Sequence, residues 1–218
     1  MKNSIGREIP EYIEGIGKLE PFQGAWTKLQ KGWMDEPSIA LAHKAKLPHQ
    51  NKLCDSLEDA IQKTHPKDGM TVTFHHHLRE GDDIIVKSIA ILAKLGIKNI
   101  TLASSSLTSV HDPLVQYLED GTITKIFSSG IRGKLGDAIS KGILKIPVVI
   151  HSHGGRARAI RTGKIKIDLT IVAASAADCE GNATGTIGKS AFGSIGYSII
   201  DVQYATQSIV VTDNLVDF

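Results

Sequence analysis

Aromatic residues are scarce, 5% of the 218 in the chain, too few to build stacking platforms beside basic residues for RNA. Two cysteines, Cys54 and Cys179, are too few for a disulfide framework, and their expected state is free thiol in a reducing compartment. Charge of one sign is also lacking: a formal net charge of +2 does not support a nucleic-acid protein. No uncharged stretch nears the ~18 apolar residues that would span a bilayer. Met1 to Glu8 lacks the apolar core of a signal peptide, so the expectation is a soluble, cytoplasmic protein without membrane contact.

Several nucleotide and nucleophile motifs are missing too. Gly181 and Gly188-Lys189-Ser190 have six residues between them, whereas a phosphate-binding loop requires four. Gly193-Ser194-Ile195-Gly196 has the wrong spacing for a nucleophile elbow, and no dinucleotide fingerprint occurs. Neither cysteine sits in a motif that would activate it.

What is present is ordinary globular material, 41% hydrophobic and 22% charged, with 21 glycines that imply many tight turns. Residues 1–66 hold both tryptophans and five of the seven prolines, and are expected to form an extension wrapped on a core. The clearest helix signal in this extension is Asp55-Ser56-Leu57-Glu58, where Asp55 is the expected cap.

From residue 67 to 218 short β-rich runs alternate with helical runs. Strands are expected at 70–74, 100–103, 123–128, 147–152 and 167–173, with β-like character at 198–200 and 208–211. Helices are expected over 82–95, from His111-Asp112-Pro113 to Asp120, over 133–141 and over 155–162. Such alternation predicts an α/β domain on a doubly wound, mainly parallel sheet.

In an open parallel sheet ligands bind outside the carboxyl ends of the strands. Four strand ends here carry His75-His76-His77, Ser104-Ser105-Ser106, Ser128-Ser129-Gly130 and His151-Ser152-His153-Gly154-Gly155-Arg156. Backbone N–H groups, hydroxyls and cations of this kind suit an anion. Arg156, Arg158, Arg161, Lys164 and Lys166 lie in a stretch without Asp or Glu. Guanidinium forks match carboxylate or phosphate, although Arg161, Lys164 and Lys166 also read as a solvated face. The histidines permit two further readings. His151 and His153, with the triple-His run, have a zinc-hydrolase spacing, and each alone also reads as a polar residue at a strand end. They also suit hydrogen bonding to an oxyanion formed in acyl transfer.

Gly154-Gly155-Arg156-Ala157-Arg158-Ala159-Ile160, Ile167-Asp168-Leu169 and Ala177-Asp178-Cys179-Glu180-Gly181-Asn182-Ala183-Thr184 resemble the coenzyme A-transferase superfamily. The run Phe74 to Asp82, with Gly193 to Tyr197 and Val211 to Val216, narrows the resemblance to the alpha-subunit family of citrate lyase, over essentially the whole chain. The resemblance implies a coenzyme A-transferase-like fold, one of the two tandem α/β domains of that family, the second being absent. It implies transfer of a thioester-bearing acyl carrier from acetate to citrate. The thioester sits on a CoA-like prosthetic group of an acyl carrier (gamma) subunit, and a lyase (beta) subunit cleaves the product. On this reading the chain belongs to an oligomer, with no nucleic acid and no metal.

His75, His76 and His77 are expected to form the acyl oxyanion pocket. Ser104, Ser105, Ser106, Gly154, Gly155, Arg156 and Arg158 are expected to contact citrate or the carrier group. Asp178 and Asn182 are expected to be turn residues. The glutamate nucleophile that related transferases draw from their second half has no counterpart here. Two alternatives remain open at this stage, a zinc hydrolase and a non-catalytic docking module of the lyase complex.

Overall fold

The structure, a computed structural model, describes residues 1–3, 5–21, 50–75 and 82–217. The chain opens on a small antiparallel hairpin, β1 (Tyr12–Ile13) and β2 (Gly17–Lys18). Between them Gly15 has φ +76 and lies against the Ile146 side chain, and its carbonyl accepts from Lys125 Nζ at 2.7 Å. Residue Lys52 donates from its backbone to Cys179 and from Nζ to the Glu180 carbonyl, which ties the later part of the N-terminal region to a distant turn.

Helix α1 (Leu57–Lys63) follows, capped by Ser56, whose hydroxyl accepts from the Asp59 N–H at 3.0 Å. The expected cap, Asp55, instead places its own N–H on the Asp59 carboxylate, while Ser56 has the extended backbone that a cap adopts. Next come β3 (Thr71–His75), α2 (Ile84–Lys94) and β4 (Ile100–Ala103). In α2, Ile85, Ser88, Ile89 and Leu92 are buried at i, i+3, i+4 and i+7. Gly96, at φ +80, stops this helix, and Ile97 donates back to the Leu92 carbonyl as a Schellman closure requires.

The helix expected from His111 is a 3₁₀ stretch over Ser109–Leu114 that runs into a short α3 (Val115–Glu119). Asp112 is not its cap: its carboxylate accepts from the Leu135 N–H at 3.1 Å and so caps α4 (Gly133–Ser140), which follows β5 (Ile123–Ser128). The expected strand at 147–152 reduces to β6 (Val149–Ile150), since Ser152 turns to cap α5 (His153–Arg161). Strand β7 (Ile167–Ala173) has the expected bounds. The chain then makes the pair β8 (Ala176–Ala177) and β9 (Ala183–Thr184), helix α6 (Ser198–Tyr204) and β10 (Ala205–Val211). Residues 198–200 are thus helical, contrary to their β-branched appearance. Ser198, Asp201 and Ala205 fall on one buried stripe, and that pattern outweighs local propensity.

All pairings of the main sheet are parallel, in the order β10-β7-β3-β4-β5-β6. This is the expected doubly wound α/β class. The chain steps outward from β3 to β6 and returns to the other side of β3 as β7. The order reverses there, and in open parallel sheets ligands bind beyond the carboxyl ends of the strands at such a point. Alternation divides the side chains between two layers. Val72, Phe74, Leu102, Ile126, Leu169 and Ile171 face α1 to α4 in a large apolar core, while Ala103 and Phe127 join Ala159 and Ile160 of α5 and Ile200 and Tyr204 of α6.

Candidate functional site

His75, the last residue of β3, pairs in register with Val172 of β7, which places it at the reversal point of the sheet. It is 6% exposed, on the layer that α5 and α6 cover. His76 and His77 lie outside the described residues, as do positions 78–81. The chain resumes at Asp82, which is completely buried: one carboxylate oxygen accepts from the Ile84 N–H at 3.0 Å, and the other faces His111 Nε2 at 3.4 Å. His111 Nδ1 accepts from the Thr108 N–H at 2.9 Å, so the ring proton belongs on Nε2 and points at Asp82.

The three serines after β4 divide in their surroundings. Ser104 is buried and donates to the Ser106 carbonyl at 3.3 Å, Ser105 uses its carbonyl to accept from Ser129, and Ser106 is exposed. The loops after β4 and β5 are laced by bonds from Leu107 to Gly130 and from Arg132 to Leu107. They therefore present a fixed backbone edge rather than a free loop.

Helix α5 starts at the end of β6. The Ser152 hydroxyl accepts from the Gly155 N–H at 3.1 Å, Gly154 is exposed with open space where a Cβ would stand, and Gly155 lies under the Ser152 hydroxyl. Arg158 is half-buried on the same helix. Arg156 points inward and is 2% exposed. Its two terminal nitrogens bind the Asp201 carboxylate at 2.8 and 2.9 Å, and one of them also reaches the Ala103 carbonyl at 3.0 Å. The fork that the sequence assigns to a ligand thus holds an internal carboxylate, 45 residues away in the chain. Burial pushes the Asp201 carboxyl up, while Arg156 and the Thr73 hydroxyl pull the other way.

Tyr197 precedes α6 and its ring lies among the other groups. It meets the His75 ring edge-on at 5.5 Å between centroids, stacks on His153 at 5.4 Å and 21°, and has the Arg156 guanidinium carbon 5.9 Å from its centroid. His75 and His153 therefore meet on Tyr197 at one rim, with the buried Arg156 beneath it. Asp201 and the ring contacts of Tyr197 were not legible as partners, because residues 198–200 read as β-like and no helical turn from Tyr197 to Asp201 was expected.

The His151 ring packs against Phe127 at 5.8 Å rather than on Tyr197. Burial, and secondarily Arg156, pushes its imidazole down. His151 lies beyond β6 and His153 opens α5, so the pair is not a strand His-X-His, and the two rings pack on different partners, Phe127 and Tyr197. Among the described residues no group of three His, Cys, Asp or Glu side chains is placed to hold a metal ion, and the zinc-hydrolase reading has no support. Asp178 accepts from the Glu180 and Asn182 N–H groups at 2.9 Å each and from Asn182 Nδ2 at 2.7 Å, as a turn residue does; these bonds hold its carboxyl below the usual range.

Residues 50–218 match the family model of "Citrate lyase, alpha subunit (CitF)". The citrate lyase alpha chain of Haemophilus influenzae is 45% identical over 181 residues, covering 83% of this chain and 36% of that one. The citrate lyase alpha chain of Klebsiella pneumoniae is 39% identical over 218 residues, which is 100% of this chain and 41% of that one. Among solved structures, the alpha subunit of citrate lyase in complex with citrate from Streptococcus mutans superposes with a TM-score of 0.84 at 44% identity, covering 100% of this chain and 41% of that chain. This chain thus spans about two fifths of the length of the relatives it matches. With the expected parallel sheet and these matches together, the chain belongs to the citrate lyase alpha subunit family.

Proposed function

We propose that this chain binds citrate at the carboxyl ends of its central strands and takes part in moving a thioester-bearing acyl carrier from acetate to citrate. The observation that carries the reading is the citrate-bound relative, whose similarity extends over the whole of this chain. The strand ends support it chemically: the imidazoles of His75 and His153 and the exposed Ser106 and Gly154 stand there, and the buried carboxylate Asp201 is already neutralised by Arg156.

In the proposed reaction a citrate carboxylate oxygen attacks the acetyl thioester carbonyl and the C–S bond breaks, giving a citryl–acetyl anhydride and the carrier thiolate. The thiolate then attacks the citryl carbonyl, the anhydride C–O bond breaks, and acetate leaves. An oxyanion develops at the attacked carbonyl, and donors fixed in advance stabilise it more than they stabilise the ground state. In this reading His75, His76 and His77 with their backbone supply those donors. Ser106, Gly154, Gly155 and Arg158 meet the tricarboxylate or the carrier group, with Ser104 and Ser105 shaping the loop beneath. Arg156 contributes charge from below the rim rather than direct contact, because its fork is occupied.

The CoA-like prosthetic group belongs to the acyl carrier subunit and reaches this chain as substrate. The open space at Gly154 lets a phosphate or pantetheine chain approach the first turn of α5 without meeting a side chain. The lyase subunit is the remaining proposed partner. The division into an extension over 1–66 and a domain over 67–218, with a second domain completing the site, is part of the same proposal.

Calorimetric titration with citrate tests the binding step. Wild type should release or absorb measurable heat, and His75→Asn with Ser106→Ala should weaken binding about tenfold, the loss of one or two hydrogen bonds to a charged group. No response to citrate from the folded wild-type chain would overturn the reading.

A further inference from the structure

We propose that Tyr197 is a positioning residue. Its ring holds the imidazoles of His75 and His153 in one orientation toward an anionic carboxylate at the reversal point of the sheet. The inference rests on the anion-binding rim proposed above and assigns a role to a side chain which that proposal does not use.

Three contacts carry it. His75 ends β3 and His153 opens α5, so the two imidazoles come from different elements and have no backbone element in common. The Tyr197 ring touches both, edge-on to His75 at 5.5 Å and 90°, stacked on His153 at 5.4 Å and 21°. Both fall within the ~4.5–7 Å separations at which aromatic rings attract in those two geometries. His153 is exposed, and the face of Tyr197 limits the arc its ring can sweep.

Tyr197 is itself held from below. Its carbonyl accepts from the Asp201 N–H at 3.1 Å, one helical turn on, and Asp201 is fixed on both carboxylate oxygens by Arg156. The guanidinium also lies over the phenol ring, within the ~6 Å at which a cation is attracted to a π face. The buried ion pair therefore fixes the first turn of α6, that turn fixes the phenol, and the phenol fixes the imidazoles. Burial raises the phenol above its ordinary value, so it stays neutral and adds no negative charge where an anion arrives.

The test follows the histidine ring signals by NMR in the full chain with selectively labelled histidine, assigned through His75→Gln and His153→Gln. Tyr197→Phe and Tyr197→Leu are each recorded with and without citrate. Tyr197→Phe keeps the ring, and should leave both imidazole signals near their wild-type positions and citrate affinity within about threefold. Tyr197→Leu should shift both signals and weaken citrate about tenfold, with the far-UV circular dichroism unchanged. A leucine variant with unmoved ring signals, or with wild-type citrate affinity, overturns the positioning role. So does a phenylalanine variant as impaired as leucine, which would assign the effect to the hydroxyl. A wild-type chain that ignores citrate breaks the substrate reading instead. The ligand-free ring signals and a parallel titration with acetate then decide the role of Tyr197, with an unshifted leucine spectrum counting against it.

Discussion

The two faces of the central sheet solve different problems with the same strands. Toward α1 to α4 the sheet presents Val72, Phe74, Leu102, Ile126, Leu169 and Ile171, an apolar surface whose stability comes from area removed from water and from close packing. Toward α5 and α6 it presents Thr73, His75, Ala103 and Thr170, and the space left by those smaller groups holds Arg156 and Asp201. A face built only for stability would have no reason to bury an ion pair, since apolar residues of like volume do at least as well. What the second face gains is geometry: the pair ties α5 to α6 directly beneath the rim where His75, His153 and Tyr197 meet.

The largest effect that tests this contrast is expected at the ion pair. Arg156→Met leaves the Asp201 carboxylate buried without its cation and should cost about 3–5 kcal/mol, whereas Arg156→Met with Asp201→Leu should recover most of it. Denaturant unfolding of the three variants measures both. A double variant no better than the single would show that the pair is not the unit that matters. On the opposite face Leu102→Ala should cost about 3 kcal/mol through the cavity it opens, and no partner substitution of a charged group should restore it.

The smallest effect concerns acid. His151 has a folded value below its unfolded one, chiefly through burial, so the unfolded chain binds that proton more readily. Its contribution to stability is present at neutral pH and is lost as pH falls below the ordinary histidine value of about 6.5. His151→Gln should flatten the stability profile over that window and leave the neutral region nearly unchanged. An unaltered acid limb would assign the sensitivity to other groups.

Much of the first face was legible. The 3.6-residue spacing of Ile85, Ile89 and Leu92 marks α2, and Gly96 marks its end. Strands β4, β5 and β7 have the bounds their apolar runs suggest, because each is a long enough run of β-branched residues between turn signals. The second face was harder to read. Ser198-Ile199-Ile200 looks like a strand locally, yet it is helical because that conformation buries Ser198 and Asp201 together. Asp112 reads as the cap of its own helix and instead serves α4, since the 3₁₀ turn aims its carboxylate at Leu135. Arg156 beside two glycines reads as a ligand group, and nothing in the neighbouring residues reveals that a carboxylate from a later helix will meet it.

Local pattern by itself determined the alternation of strands and helices, the parallel class of the sheet that such alternation requires, and which residues stand at the strand ends. Those are consequences of short-range periodicity, turn chemistry and the side on which apolar groups fall. Only the tertiary structure decided that Arg156 is spent on Asp201 and that Tyr197 comes to rest between two imidazoles. Contacts between such distant segments depend on how α5 and α6 seat against the sheet, and no signal of period 2 or 3.6 encodes that.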